Sequence, residues 1–394
     1  MRKSSAIMLA IVVGIVCTAV TYFVMLWDFN ARMEGSGDSL SLKEFRIVEE
    51  VIERYYLRDY DIKEVENAGL KAMVASLGDP YSVYYTPEEF ATFNRNSTGE
   101  YNGVGMGITK DEVTGLTVVS YFMEGSAAEA AGIQVGDYII SIDGQDVTGK
   151  TLQEISVLCI GEEGTPITIG VKRGDQVLEF TMLRQPISLD MVDYTVLDDI
   201  GYMRVKQFGG NCELLFNNAI DEFEKKQVKG AIIDLRNNPG GYLNIVVNTL
   251  DRLLPEGTIV YTEDKYGNRE TQTSDAVCVD FPIVVLVNQN TASASEIFAG
   301  AIQDYGMGYV VGTRTYGKGV VQVVVPIKQA DGTVRGAVKI TASEYFTPKG
   351  RSIDGNGIYP DVYVERRGDG DNQLDKAQSV LRALISKGGL QSAS

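Results

Sequence analysis

The chain of 394 residues contains no histidine. That absence rules out a Ser-His-Asp triad and a Cys-His dyad, and it removes the side chain that most often serves as general base or metal ligand. A serine nucleophile in this chain would need another base, and lysine is the known variant. The four cysteines, Cys17, Cys159, Cys212 and Cys278, show neither metal-site spacing nor a disulfide framework. Positive charge is scarce: 36 Lys and Arg stand against 53 Asp and Glu, a formal charge of −17, with no basic block. Such a balance argues against nucleic-acid binding and favours a self-repelling soluble surface.

Long uncharged runs are also rare, with one exception. Met1-Arg2-Lys3 precedes an uncharged stretch from Ser4 to Trp27, and a bilayer crossing needs ~20 apolar residues. Arg2 and Lys3 would hold the N-terminus in the cytoplasm, while Tyr22, Phe23 and Trp27 suit the far interface. The expectation is a single-pass membrane anchor through residues 4–27 with the rest of the chain extracytoplasmic. Secretion after signal cleavage is the alternative, although no clean small-residue cleavage site is present.

Five regions are expected. Residues 1–30 are the signal anchor and 31–98 a helical region. In the latter, Phe45, Val48, Ile52 and Tyr55 share a face, a second helix runs from about Ile62 to Leu77, and Thr86-Pro87-Glu88-Glu89 opens a third. The apolar faces would pack internally or form a homodimer. Residues 99–185 are a β-rich module. Residues 186–365 alternate strands and helices, including a helix from Cys212 to Lys226 with Leu215, Ile220 and Phe223 buried. Residues 366–394 are a polar linker and a short amphipathic helix from Leu374 to Lys387, read as a packing element or frayed tail.

In the alternating region, Gly230 to Leu235 reads as a buried strand and Arg236-Asn-Asn-Pro239-Gly240-Gly241 as a turn before a helix. Such turns, at strand C-termini, are where α/β folds place ligands. The paired glycines would let backbone N–H groups approach a substrate oxygen. Further on, the apolar run to Val287 leads into Thr291-Ala-Ser293-Ala-Ser295-Glu296 and a helix. Ser293-x-x-Glu296 is by itself an ordinary capping box, and Ser295 is a rival nucleophile. Gly312 to Lys318 matches G-x-x-x-x-G-K, but Gly319 stands where a phosphate loop needs Ser or Thr, and a β-branched segment follows. No nucleotide is expected. Flanked by glycines and valines, Lys318 has a setting in which burial would disfavour its charged form.

The order of elements in residues 99–185 resembles a PDZ domain: the glycine loop Gly103-Val104-Gly105-Met106-Gly107-Ile108, a short helix within Gly125–Gly132, the strand and turn Gly136-Asp137 to Gly144, and a helix from Leu152. The resemblance implies that a peptide C-terminus pairs beside that loop with its carboxylate on free N–H groups, and that Leu152 and Ile155 line the groove. The motifs of 234–241, 291–297, 312–322 and Thr347-Pro-Lys-Gly-Arg-Ser-Ile353 to Gly357-Ile-Tyr-Pro-Asp361 follow in one order. From about Leu42 to Glu365 the chain closely resembles the C-terminal processing (tail-specific) serine peptidases.

That resemblance implies a multidomain α/β protein whose catalytic core is of the ClpP/crotonase-like type. It implies Ser293 as nucleophile, Lys318 as base and Gln322 as the group orienting the lysine. The N–H of Ala294 with that of Gly240 or Gly241 would form the oxyanion hole. Substrates would be proteins with exposed C-termini, gated by the PDZ module, with no metal or other cofactor. The competing class is a PDZ scaffold that kept the fold and lost activity.

Overall fold

The computed structural model of the protein describes residues 40–387. The expected membrane segment lies outside them, and none of the described helices is long and apolar enough to cross a membrane. The chain divides into two compact units between Glu66 and Asn67. In the first, α1 (Leu40–Tyr55) carries the expected apolar face, with Phe45, Val48 and Tyr55 exposed. Helix α2 (Ile62–Ala75) ends before Gly78, which turns the chain at a φ of +69°. After β1 (Val83–Tyr85), helix α3 (Pro87–Thr98) opens on the expected box. Glu89 N–H donates to Thr86 Oγ1 (3.3 Å), and Thr86 N–H donates to the Glu89 carboxylate (2.9 Å).

Strand β2 (Glu100–Gly103) leads into the β-rich module. The module comprises β3 (Met106–Lys110), β4 (Thr117–Phe122), α4 (Ala127–Ala131), β5 (Tyr138–Ile142), β6 (Gln145–Asp146), α5 (Leu152–Cys159), β7 (Pro166–Arg173) and β8 (Gln176–Leu183). Its sheet has the order β3-β4-β5-β7-β8, with β6 on β5. Ile139, Ile142, Ile155, Ile167, Ile169 and Val171 fill one core of its own. Strand β9 (Gln185–Ser188) then pairs with β2, Glu100 opposite Ser188 and Gly103 opposite Gln185. The chain thus enters and leaves the module along one two-stranded ribbon.

The remaining elements are β10 (Val192–Leu197), β11 (Ile200–Val205), α6 (Cys212–Lys225), β12 (Gly230–Asp234), α7 (Leu243–Asp251), β13 (Gly257–Asp264), β14 (Arg269–Ser274), β15 (Ile283–Val287), α8 (Ala294–Tyr305), β16 (Gly308–Gly312), β17 (Val320–Lys328), β18 (Val334–Phe346), β19 (Val362–Tyr363) and α9 (Asn372–Ser386). One sheet runs β10-β11-β12-β15-β16-β19, parallel from β11 onward. Ile233 and Val285 face a core shared with Phe223, Leu250 and Phe298. Their neighbours Ile232, Val284 and Leu286 face the other side, against Ala377, Leu381 and Leu384 of α9. Cover on both faces is why these strands read as unbroken apolar runs. The C-terminal helix is therefore a packing element. On α6, Phe216 is fully buried while Leu215, expected inside, is half-buried.

A second sheet, β1-β18-β13-β14 with β17 on β18, packs against α7 and α8. The C-terminal ends of β12, β15 and β16 carry the loops 235–242, 288–293 and 313–319, the edge at which open α/β sheets place their ligands.

In the module, Asp137 is 1% exposed and takes two hydrogen bonds from Arg173 (both 2.7 Å) and one from Gln134 N–H (2.8 Å). Burial alone would raise its carboxyl. The Arg173 hydrogen bonds, the Gln134 N–H and the Arg173 charge outweigh that and hold it below the ordinary range. The pair's contribution is therefore present above an unfolded-state pKa of ~3.9 and lost as pH falls through the lower folded value. Asp137→Asn should destabilise the module by roughly 2 kcal/mol near neutrality, with the difference from the parent closing on acidification below pH ~3.9. Hydrogen exchange of the module's strands measures both, and an unchanged exchange free energy would contradict the assignment.

Candidate active site

The turn after β15 is closed by its own polar groups. Asn288 N–H donates to Thr291 Oγ1 (3.0 Å), Thr291 N–H donates to Asn288 O (2.9 Å), and the Thr291 hydroxyl donates to Leu235 O (2.8 Å). This delivers Ser293 to the N-terminus of α8 with φ +58° and ψ −121°. A non-glycine residue held there costs roughly 1–3 kcal/mol and persists only where the surroundings impose it. Ser293 is half-buried, and its hydroxyl takes no cap hydrogen bond. Ser295, the rival hydroxyl, is fully buried and donates to Asn238 O (3.2 Å).

Glu296 imposes that conformation. It is fully buried, and each carboxylate oxygen accepts two hydrogen bonds. Oε2 takes Ser293 N–H (2.9 Å) and Lys318 N–H (2.8 Å); Oε1 takes Gly317 N–H (2.7 Å) and the Thr315 hydroxyl (2.5 Å). Thr315 donates to the ionised carboxylate, which can only accept, and its own oxygen accepts Ile358 N–H (2.6 Å). Burial pushes the Glu296 carboxyl above its ordinary range, against the pull of these four donors. A residue read from sequence as a helix cap thus joins the serine turn to the lysine loop. The sole local hint, S-x-x-E, could not disclose partners 19, 21 and 22 positions away.

The lysine loop is buttressed from the other side by the 347–361 motif. Thr315 N–H donates to Ile358 O (3.1 Å), Gly355 N–H to Gly317 O (2.9 Å), and Gly319 N–H to Asp354 Oδ1 (3.0 Å). A β-carbon on Gly319 would lie 2.2 Å from Asp354 N, so only glycine fits there. The loop runs into a strand rather than a helix, as the failed phosphate-loop context required.

Lys318 is half-buried, with Nζ 4.9 Å from the centre of the Tyr81 ring. Its pKa is pulled below the usual lysine range by burial first and by the Lys339 charge second, with Asp79 and Glu296 opposing. Among the described residues Nζ makes no hydrogen bond, either to Ser293 Oγ or to Gln322. The expectation that Gln322 orients the lysine is not met in this structure. Its amide instead donates to Val320 O and Thr341 Oγ1 (both 3.3 Å). The cause is local: the β17–β18 register shifts between Val321 and Gln322, which sets Gln322 opposite Thr341.

The glycine turn lies against the serine turn. Buried Asn238 bridges them: its side chain donates to Val205 O (2.9 Å) and accepts Gly240 N–H (2.9 Å), and its main-chain carbonyl accepts Ala292 N–H (3.0 Å) from the serine turn. A β-carbon on Gly240 would lie 2.8 Å from Ser293 Cβ and 2.9 Å from Ala294 N. Because Asn238 occupies the N–H of Gly240, the two glycines are no longer equivalent. The N–H groups of Gly241 and Ala294 have no acceptor among the described residues. Arg236 anchors the base of this turn, bridging Asp234 (2.6 Å) and Asp371 at the start of α9 (2.7 Å). Nothing in the sequence pattern disclosed that tie.

The PDZ-like groove opens into a cavity of about 1010 Å³ between the module, α3 and the segment 186–207. Gly103, Val104, Gly105, Met106 and Ile108 line it, and the N–H groups of Val104 and Gly105 have no acceptor among the described residues. Gly107 does not line it. Neither do Leu152 and Ile155, which were expected to; Gln153, Ser156, Val157 and Ile160 do. Helix α5 is phased by the Thr151–Glu154 box so that Ile155 points into the module core. Ser293 and Lys318 lie outside this cavity. Among the described residues, no cluster of three or more Cys, Asp or Glu side chains could hold a metal ion.

Residues 199–364 match the model of peptidase family S41, and residues 118–173 match a PDZ domain. The chain is 36% identical over 323 residues to a carboxyl-terminal-processing protease of Synechocystis, covering 80% of this chain and 74% of that protein. It is 37% identical over 330 residues to the carboxy-terminal-processing protease of Bartonella bacilliformis, covering 81% and 74%. Among solved structures, a photosystem II D1 C-terminal processing protease superposes with a TM-score of 0.50 at 31% identity, over 86% of this chain and 90% of the other.

The packing at Gly240 is testable against a glycine with similar φ but open surroundings. Gly240→Ala should cost roughly 1–3 kcal/mol more than Gly267→Ala, where nothing lies within 4 Å of the added carbon. Equal shifts in the unfolding midpoint would show that the two turns do not pack as described.

Proposed function

We propose, from the premise that this chain belongs to the carboxyl-terminal-processing serine peptidases of family S41, that it hydrolyses protein substrates near their C-termini with Ser293 as nucleophile and Lys318 as general base. The observation that carries this reading is the convergence at the N-terminus of α8. A partly exposed Ser293 hydroxyl lies there with two N–H groups that have no acceptor among the described residues, and Glu296 ties to the same turn the backbone of Lys318, whose pKa burial depresses.

Neutral Lys318 accepts the Ser293 Oγ proton as the oxygen attacks the scissile carbonyl. The oxyanion lies on the N–H groups of Ala294 and Gly241, one such donor typically being worth ~10²–10³ in rate. Protonated Lys318 then passes its proton to the departing amine. It next takes a proton from the water that attacks the acyl-enzyme and returns it to Ser293 Oγ as the acyl bond breaks, which restores the neutral lysine and the free hydroxyl. To act, the lysine side chain turns from the Tyr81 ring toward Ser293.

The PDZ groove, with its unpaired Val104 and Gly105 N–H groups, is assigned to the substrate's terminal carboxylate. A covalent route to the site supports gating. Lys206 and Gln207 line the groove cavity, and the next residue, Phe208, accepts Tyr242 N–H (2.8 Å) and donates to Gly240 O (2.9 Å). Occupancy of the groove can therefore bear on the oxyanion turn through one short segment. Residues 4–27 are assigned as a bilayer anchor with the catalytic region extracytoplasmic, and the exposed apolar face of α1 as a contact for a second copy.

The test uses the full chain in detergent micelles with an unfolded protein bearing an apolar C-terminal tail, cleavage being followed by mass spectrometry. Ser293→Ala and Lys318→Ala should each lose at least about 10³-fold in kcat. Cleavage by Ser293→Ala at the parental rate would overturn the reading. Because only neutral lysine is a base, kcat/KM should rise with pH through the Lys318 pKa, below the ordinary lysine range. Lys339→Gln removes a neighbouring positive charge and should move that limb to higher pH; an unmoved limb would assign the titration to another group.

A further inference from the structure

Tyr345 is 1% exposed on β18, and the mechanism above gives it no role. Its hydroxyl contacts two carbonyls, Ser293 O (3.0 Å) and Lys318 O. Its own N–H donates to Gly319 O (2.9 Å), so side chain and main chain both grip the residues at the lysine. The two carbonyls are not equivalent. Ser293 O also accepts the N–H groups of Glu296 (2.8 Å) and Ile297 (3.1 Å). Among the described residues, Lys318 O has Tyr345 alone as donor. With one proton to give, the phenol serves the carbonyl that otherwise has none. Glu296 holds the N–H groups of the same two residues. The N–H groups of Ser293 and Lys318 are thus held by one carboxylate and the Lys318 C=O by one phenol, whose oxygen rests beside Ser293 O, while the serine and lysine side chains make no hydrogen bond to each other.

We propose that Tyr345 is a positioning residue for peptide hydrolysis, its hydroxyl fixing the Lys318 peptide plane against the Ser293 turn so that only the lysine side chain has to move. The proposal rests on the reading of Ser293 and Lys318 as nucleophile and base. Burial keeps the phenol well above its ordinary pKa, so it remains a donor throughout the working range. Proton transfer needs the base within about 2.6–3.2 Å of the hydroxyl, and a misplacement of about 1 Å can cost 10²-fold. A hydroxyl that merely satisfied a buried carbonyl would affect stability and leave the rate per folded molecule alone.

Tyr345→Phe in the full chain separates the two. Referred to folded protein, kcat should fall about 10–100-fold, with KM within about twofold. The acid limb of kcat/KM should also move to higher pH, because a loosened Lys318 gains solvent. The charged groups facing it stay in place: Asp79 beside Tyr81, Glu296 on α8 and Lys339 on β18. Site-specific p-aminophenylalanine, a weaker donor of similar shape, should give a kcat between those of the phenylalanine variant and the parent. If the phenylalanine variant does not fold, the p-aminophenylalanine protein carries the test alone: a kcat below the parent's at unchanged KM is expected. A parental kcat and an unmoved limb in the folded variant would overturn the proposal. Ser293→Ala, assayed alongside, separates the failures. If it is inactive while Tyr345→Phe is normal, only the role of Tyr345 fails; if it is active, the underlying reading fails with it.

Discussion

The site depends on one buried carboxylate. Glu296 accepts four hydrogen bonds, from Ser293, Thr315, Gly317 and Lys318, and these come from two loops that follow different strands of the parallel sheet. Taking a carboxylate out of water is costly, and the cost is tolerable only when its lone pairs are filled. Here both oxygens are doubly satisfied, three times by main-chain N–H. The same bonds hold Ser293 at a φ of +58° that it would not otherwise keep. Strain at Ser293 and desolvation of the Glu296 carboxylate are thus linked, and neither residue can relax without releasing the other.

Everything else at the site supports that join. The parallel sheet brings the loops to one edge, and both of its faces are covered, the second by the C-terminal helix. Asn238 locks the glycine turn to the serine turn through Ala292 N–H and consumes the N–H of Gly240, while that of Gly241 has no acceptor among the described residues. The 347–361 segment backs the lysine loop with hydrogen bonds from main chain and from Asp354. Most of these contacts end on backbone atoms, which favours precision over adaptability.

Much of this is legible in the sequence, and the boundary has a physical cause. Strands, helix starts and the alternation around residues 200–305 follow from short-range patterning, so the box at Thr86 and the buried strand at 230–234 appear where expected. The absence of histidine restricts the choice of base on composition alone. What the sequence hides depends on contacts between distant segments. Glu296 reads as a cap because its second loop lies 20 residues on. Arg236 reaches Asp371 across 135 positions. Gln322 departs from its expected role because the register shifts at Ala342, an extra residue in β18, and changes its partner. The spacing of Ile155 suits a groove-facing helix, but the cap at Thr151 sets which face points inward.

The most direct measurement is residue-resolved hydrogen exchange on Glu296→Gln beside the parent chain. Glutamine keeps the shape but replaces one oxygen with an NH2 group that faces N–H donors. If one carboxylate joins the two loops, the amides of Ser293, Gly317 and Lys318 should lose protection together, each exchanging at least about tenfold faster, equivalent to about 1.4 kcal/mol. Loss confined to Ser293 would reduce Glu296 to the helix cap its sequence suggests and contradict the account.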